Sequence, residues 1–199
     1  MVEMQLSIIL EYLPYALVTN FTPGPNNILA LNSAKSYGLK KSRNVLLGIC
    51  TGFTCIMFLC GILCISLSQI SDVYQSRMKY VGAVYLLWLA WHIFISKPDA
   101  KSEVMSKKPS FMSGFIVQFV NVKVMLYGMV SITSFVFPYT KSKLIVFLFV
   151  IGMSILGALA ALTWAFAGSI FQKFLNNHYR IVNTVMALIL LKSAFDLIF

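Results

Sequence analysis

The stretch Thr22-Pro23-Gly24-Pro25-Asn26-Asn27 interrupts an apolar run that extends from about Leu6 to Leu31. A proline has no backbone N–H and its ring clashes with the carbonyl four residues earlier, so two prolines around a flexible glycine predict a break in a helix. An unbroken helix over this run would be about 39 Å long, longer than the roughly 30 Å hydrocarbon core of a bilayer. Backbone groups freed by a break within a membrane need surrounding protein or a water-filled cavity. The stretch therefore predicts a broken membrane helix whose break faces the protein interior.

The rest of the chain has the composition of a membrane protein. Of its 199 residues, 59% are hydrophobic and 11% are charged, whereas a soluble domain is about a quarter charged. This composition excludes an ordinary soluble enzyme, a disordered chain and a disulfide scaffold. The net charge of +10 is typical of basic loops that set the orientation of a membrane protein, rather than of nucleic-acid binding. We predict an all-α integral membrane protein, one domain over residues 1–199 with six transmembrane helices. The expected spans are about 6–31, 45–67, 80–95, 111–137, 144–168 and 181–199.

The distribution of basic residues predicts the orientation. The first, third and fifth connections hold ten Lys and Arg residues, the second and fourth hold four, and no basic residue precedes the first apolar run. Basic connections stay in the cytoplasm, so both termini are expected on the periplasmic side, with the first span retained rather than cleaved. Three spans per half allow two inverted repeats, a common plan in transporters. The internal sequence matches are weak, so the repeat stays an open alternative.

A second group of polar residues lies in the fourth span, where Gln118, Asn121 and Lys123 interrupt apolar sequence. A lysine at the centre of a membrane helix costs about 2.5–3.5 kcal/mol on insertion scales, so it usually faces a cavity or a partner. The alternative is a lysine that extends to the membrane surface. Lys123 is more than ten residues from either end of its span, which favours a place in a pathway.

The broken first span has the chemistry to bind an amino acid. A helix that restarts near Pro25 offers free N–H groups to a carboxylate, and we expect those near Gly24, Asn26 and Asn27 to take this role. The carbonyls of Thr19 and Phe21, which lose their helical partners to the prolines, are expected to accept from an ammonium group. The alternative is a proline kink that only lets helices pack.

The remaining features predict packing rather than chemistry. Gly48 and Gly52 have a spacing that permits close helix contact, within or between chains, so a homo-oligomer stays open. Lys192 and Asp196 are four residues apart and are expected to neutralise each other. The sequence has no ATP-binding Gly-x-x-x-x-Gly-Lys-Ser/Thr loop and no His-Glu-x-x-His motif. We expect no catalytic residue, metal or cofactor.

The six residues from Thr22 to Asn27 resemble the signature of the LysE/RhtB family of amino-acid exporters. The similarity extends to the chain length, the region from Gly48 to Gly52, the residues 82–86 and the Asn-x-Lys site at Asn121 and Lys123. Many members carry Asn-Pro-Lys there, and Val122 replaces that proline, which makes a broken fourth helix less expected. The resemblance implies export of small neutral amino acids, cysteine and O-acetylserine foremost, across the bacterial inner membrane. From the two polar sites we expect a central substrate pathway lined by Thr22, Pro23, Gly24, Pro25, Asn26, Asn27, Gln118, Asn121 and Lys123.

Two alternatives remain at this stage. One is a broader exporter of threonine, homoserine or leucine, and the other is a non-transporting membrane subunit whose broken helix is only structural. The expected partners are a small amino acid and the lipid bilayer, with no nucleic acid.

Overall fold

The computed structural model describes residues 2–68, 72–95 and 110–198, and within them it contains eight α-helices and no β-strand. The helices are α1 (Val2–Phe21), α2 (Pro25–Tyr37), α3 (Leu39–Ser68), α4 (Asp72–Ile95), α5 (Phe111–Val120), α6 (Val122–Phe135), α7 (Lys143–Asn177) and α8 (Tyr179–Ile198). The all-helical prediction is confirmed for these residues. The side chain of Asp196 lies outside the described part of the chain, and so does its predicted pairing with Lys192.

Three parts of the described chain are long and apolar enough to cross a membrane. Two are the continuous segments Leu39–Leu67 in α3 and Lys143–Ala167 in α7, and the third is the pair α5 and α6, whose axes differ by 61°. Large apolar side chains cover the outer faces of α4, α7 and α8, among them Val84, Trp91, Phe166 and Ile170. Exposed apolar side chains in such numbers are typical of a surface that contacts lipid.

The helix break predicted around Pro23 and Pro25 is present. α1 ends at Phe21 and α2 begins at Pro25, with Gly24 in an extended conformation between them. Proline fits the first position of a helix because that N–H would have no helical partner. Pro14, in contrast, lies within α1 without ending it. The break therefore depends on the closely spaced pair Pro23 and Pro25 rather than on one proline.

A second helix break lies at Asn121, although Val122 occupies the position of the expected proline. α5 ends at Val120, Asn121 is extended (φ −84°, ψ 93°), and α6 begins at Val122. β-branched residues such as these valines are weaker helix formers than unbranched ones. The Asn121 side chain donates to Asn26 Oδ1 at 3.1 Å, which ties the extended residue to α2. A tertiary contact thus stabilises a break that no proline encodes.

The glycines between α3 and α5 allow these helices to touch through their backbones. A Cβ atom on Gly48 would lie 2.0 Å from the Phe111 carbonyl oxygen, and one on Gly114 would lie 2.2 Å from the Val45 carbonyl oxygen. A Cβ on Gly52 would lie 2.7 Å from Gln118 Cγ. The glycine spacing serves packing within this chain, and it places Gln118 next to the broken helices.

At one end of the helix bundle, a polar contact joins α1 to the connection between α6 and α7. The Tyr139 hydroxyl, in the connection after α6, donates to both carboxylate oxygens of Glu11 on α1, each at 2.7 Å. Partial burial, together with the hydrogen bond and the negative charge of Glu11, raises the pKa of Tyr139 to about 12. The hydroxyl is therefore protonated at neutral pH and can donate. This contact places the first half of α1 and the α6–α7 connection at the same end of the bundle.

Candidate functional site

A small cavity of about 30 Å³ lies where the two broken helices meet. We call it the break cavity. Its lining comes from the first break, from the start of α6 and from α3 and α7: Thr19, Asn20, Gly24, Pro25, Asn26, Asn27, Phe53, Asn121, Lys123, Val124, Tyr127, Gly157, Ala160 and Ala161. Irregular backbone at membrane depth is tolerated where it lines such a cavity.

Three amide side chains join the two breaks. Asn26 Nδ2 donates to Gln118 Oε1 at 2.7 Å, and Gln118 Nε2 donates back to Asn26 Oδ1 at 2.9 Å. Asn121 Nδ2 donates to the same Asn26 oxygen at 3.1 Å. Gln118 is fully buried, so this paired geometry satisfies amides that would otherwise be costly in an apolar interior. The amide cluster therefore fixes the start of α2 against the end of α5.

Asn27 stabilises the carbonyl groups at the end of α1. Its Nδ2 donates to the Asn20 carbonyl at 2.7 Å and to the Thr22 carbonyl at 3.0 Å. The carbonyls of Asn20 and Thr22 lose their usual helical donors because α1 ends at Phe21, and the asparagine supplies a replacement donor to both. Asn27 is itself buried. Asn27 thus stabilises the helix break through its side chain. The sequence motif alone did not distinguish this role from substrate contact.

The carbonyl of Phe21, one of the two expected from the sequence to accept from an ammonium group, has a donor within the protein. Trp164 Nε1, on α7, donates to it at 3.3 Å. Pro25 removes the helical partner of this carbonyl, and the indole N–H takes its place. The Thr22 carbonyl is the one that accepts from a cationic group of the protein itself, the Lys123 ammonium.

Lys123 extends from α6 to the first break. Its Nζ donates to the Thr22 carbonyl at 3.2 Å, and a Cβ on Gly24 would lie 3.3 Å from the same nitrogen. Glu11, whose side chain the structure describes, bonds Tyr139 and not Lys123. The ammonium group is thus held by a backbone dipole inside the protein. A glycine at position 24 leaves room for it.

The break cavity offers contacts to both ends of an amino acid. At the start of α2 no side chain caps the helix, so the N–H groups of Asn26 and Asn27 form the positive end of the helix dipole. Lys123 adds a full positive charge on the same cavity wall, and these groups suit a carboxylate. The Thr22 carbonyl suits an ammonium group. Among the described residues, no three His, Cys, Asp or Glu side chains come together as metal ligands would.

Six of the nine residues predicted from the sequence line the break cavity: Gly24, Pro25, Asn26, Asn27, Asn121 and Lys123. Gln118 and Thr22 contact that lining through hydrogen bonds, and Pro23 is exposed and outside it. Sequence reasoning missed Tyr127, Phe53 and the small residues Gly157, Ala160 and Ala161. Aromatic and small residues are common throughout membrane helices, so only the packing shows which of them reach the cavity.

Comparison with known proteins identifies the family of the chain. A family model described as LysE type translocator matches residues 17–199. The proteins named cysteine/O-acetylserine efflux protein from Escherichia coli strain K12 and from Escherichia coli O139:H28 strain E24377A are each 40% identical to this chain over 184 residues. The match covers 90% of this chain and 92% of each relative. No solved structure matches the chain. The resemblance seen in the sequence motifs is therefore confirmed, and the chain, a membrane transporter and not an enzyme, belongs to the LysE family of translocators.

Proposed function

We propose that this translocator exports small neutral amino acids across the bacterial inner membrane, most specifically cysteine and O-acetylserine. The observation that carries the proposal is the break cavity, which Lys123 and the uncapped start of α2 line and which the Thr22 carbonyl adjoins through its bond to Lys123. Relatives that are 40% identical are named as efflux proteins for these two compounds. The substrate would place its carboxylate at the start of α2 and its ammonium group at the end of α1.

The cavity lining supports a neutral and small side chain. No carboxylate is among the residues that line the described cavity, so the side chain of lysine or arginine would find no opposite charge there. Gly157, Ala160 and Ala161 form a wall of small residues beside the Phe53 and Tyr127 rings. A thiol or an acetyl ester can pack on such a wall without leaving a buried charge unpaired.

Lys123 has a defined part in the proposed cycle. In the substrate-free protein its ammonium group occupies the Thr22 carbonyl, which is also where the substrate ammonium would bind. An arriving substrate would displace Lys123 from this carbonyl, and the freed Nζ would then pair with the substrate carboxylate. The exchange keeps the lysine charge stabilised in both states, which an ion in a low-dielectric interior requires.

The remaining topology belongs to the same proposal. The chain would form one domain of six spans with both termini in the periplasm, as the basic residues of the connections favour. Each half of the described chain has a broken helix followed by two continuous helices, α1–α4 in the first half and α5–α8 in the second. This order supports two inverted repeats with the substrate site at their interface.

Counterflow in vesicles tests the proposed function. Purified protein would be placed in vesicles loaded with unlabelled substrate, and uptake of radiolabelled cysteine under reducing conditions or of O-acetylserine would be followed. We expect cysteine and O-acetylserine to exchange and lysine to give no exchange. Threonine, homoserine and leucine should exchange more slowly than cysteine and O-acetylserine. Folded protein that exchanges none of these compounds would contradict the proposal, and a higher rank for threonine or leucine would assign the broader exporter.

A further inference from the structure

Two stripes of hydroxyl groups face each other beyond the break cavity. On α1 they come from Tyr12, Tyr15 and Thr19, and on α6 from Tyr127, Ser131 and Ser134. The residues in each stripe are three or four positions apart, so they lie on one face of their helix. All six are buried. We call them the hydroxyl cluster.

Four of these hydroxyl groups lack the partners that buried polar atoms usually have. Tyr15, Thr19, Ser131 and Ser134 each have a buried side-chain oxygen that meets no partner at full hydrogen-bond geometry in the described part of the chain, although Thr19 and Ser131 lie close to the Tyr15 hydroxyl. Tyr85 on α4 has a buried hydroxyl of the same kind. Buried polar groups are normally paired, and several orphaned groups together call for a functional or solvent-related reason. Hydroxyls on facing helix stripes within a transporter are suited to contact water or a polar substrate in another conformation.

The hydroxyl cluster continues the break cavity. Thr19 and Tyr127 belong to the cluster and also line the cavity. Farther along, Ser131 lies beside the hydroxyl groups of Tyr12, Tyr15 and Tyr127. The residues from Thr22 back to Glu11 correspond to about 16 Å of helix, roughly half of a hydrocarbon core. The cluster therefore occupies the distance between the cavity and the end of the bundle at Glu11 and Tyr139.

Aromatic rings close this route in the present conformation. The ring of Phe135 stacks on Tyr15, with centroids 5.1 Å apart and planes at 12°. Tyr12 packs against Phe149 with centroids 4.6 Å apart, and its hydroxyl bonds to that of Tyr127. Phe135 is itself buried, so no open path passes between α1 and α6 here.

We propose that the hydroxyl cluster is the second half of the translocation pathway, closed in this conformation by Phe135 against Tyr15. When α1 and α6 separate, the hydroxyl groups would line a hydrated passage from the break cavity to the Glu11–Tyr139 end of the bundle. They would solvate the polar groups of a neutral amino acid without adding a charge that would hold it. The proposal rests on the proposed function, because it takes the break cavity as the place from which the substrate leaves.

Cysteine labelling tests the passage. In a parent protein whose four cysteines (Cys50, Cys55, Cys60 and Cys64) are replaced by serine, Ser131→Cys would be compared with Ile132→Cys. Both positions are fully buried on α6, but Ile132 is not part of the hydroxyl stripe. We expect a small hydrophilic methanethiosulfonate to label Ser131→Cys about tenfold faster during O-acetylserine exchange than without substrate. This factor corresponds to an open state that rises from about a tenth of the population to nearly all of it. Ile132→Cys should stay unlabelled, and Ser134→Cys provides a second position on the stripe should Ser131→Cys not fold.

The functional readout separates this proposal from the proposed function. Labelling of Ser131→Cys should stop counterflow, because the adduct would obstruct the passage. Equal labelling of the stripe and control positions, no labelling on the stripe during exchange, or full counterflow after labelling would each overturn the proposed passage while the transport function stands. Wild-type protein that gives no counterflow would contradict the proposed function, and with it the passage.

Discussion

Lys123 Nζ lies 3.2 Å from the carbonyl oxygen of Thr22, so the lysine of one broken helix binds the free backbone of the other. The two residues are 101 positions apart in the chain, so this bond connects the two helix breaks. The lysine supplies a donor to a carbonyl at the end of α1, and the carbonyl supplies a partner to a charge inside the membrane. A substrate ammonium can compete for the same carbonyl, which connects binding to a change in the contact between α1 and α6.

The first prediction concerns the charge of Lys123. Lys123→Met should lower export roughly 10- to 100-fold, the effect of losing one hydrogen bond to a charged group worth about 1.5–3 kcal/mol. Its abundance in the membrane should match that of the wild type, because the charge that is removed is costly to insert and has no carboxylate partner among the described side chains. Lys123→Arg should retain partial export, since a wide planar fork replaces a compact ammonium group.

Export and membrane abundance are to be measured on the same Lys123 variants. If Lys123→Met exports at the wild-type rate, the lysine does not contact the substrate. A parallel loss of abundance and export would show instead that the lysine neutralises a buried acid.

The second prediction concerns the break in the first span. In the double variant Pro23→Ala and Pro25→Ala, new N–H groups can donate to the carbonyls of Thr19 and Phe21, so α1 and α2 should join into one helix. The protein should accumulate normally and its export should fall to the background of empty membranes. Pro14→Ala is the matched control, because Pro14 lies within α1 without breaking it, and it should export normally. If the double variant transports as well as Pro14→Ala, the motif has only a structural role as a helix kink.

The third prediction compares two glycines of α7. A Cβ on Gly157 would lie 2.5 Å from the Phe53 ring, whereas a Cβ on Gly152 meets nothing within 4 Å. Gly157→Ala should therefore destabilise the protein by about 1–3 kcal/mol through overpacking and press Phe53 into the break cavity. Gly152→Ala should be neutral or stabilising by up to about 1 kcal/mol, as expected for a helical position. Thermal unfolding in detergent and the Km for O-acetylserine would both shift only for Gly157→Ala; equal behaviour of the two variants would contradict the packing described here.

The fourth prediction concerns orientation. A reporter fused after Phe199 should be active in the periplasm, and one inserted near Lys101 should be active in the cytoplasm, because the odd-numbered connections carry most of the basic residues. Paired alkaline phosphatase and green fluorescent protein fusions at both positions would measure this. If the C-terminal fusion is active only in the cytoplasm, the protein has the opposite orientation in the membrane.

The sequence predicts the parts of the site that follow from local chemistry. Pro23 and Pro25 cannot continue a helix, and Lys123 cannot face lipid at low cost, so both features were predictable from single residues. The break at Asn121 was not, because Val122 gives no local signal and the bond from Asn121 to Asn26 stabilises the extended residue. Long-range contacts of this kind depend on how the helices pack.

The roles of backbone carbonyls were equally hidden in the sequence. The indole of Trp164 bonds the Phe21 carbonyl from α7, and nothing in the sequence around either residue indicates that they meet. Tyr127 lies on the cavity wall and in the hydroxyl cluster, yet a tyrosine in an apolar helix predicts ordinary core packing. Its importance appears only when the facing stripe on α1 is in place.

A structure of the protein with O-acetylserine bound tests the central claim most directly. The account predicts the substrate in the break cavity, with its carboxylate within hydrogen-bond distance, about 2.7–3.2 Å, of Lys123 Nζ or the Asn26 and Asn27 N–H groups. It also predicts that the substrate ammonium group replaces Lys123 at the Thr22 carbonyl. A substrate bound outside the break cavity, or bound in it while Lys123 keeps its contact with Thr22, would contradict the account.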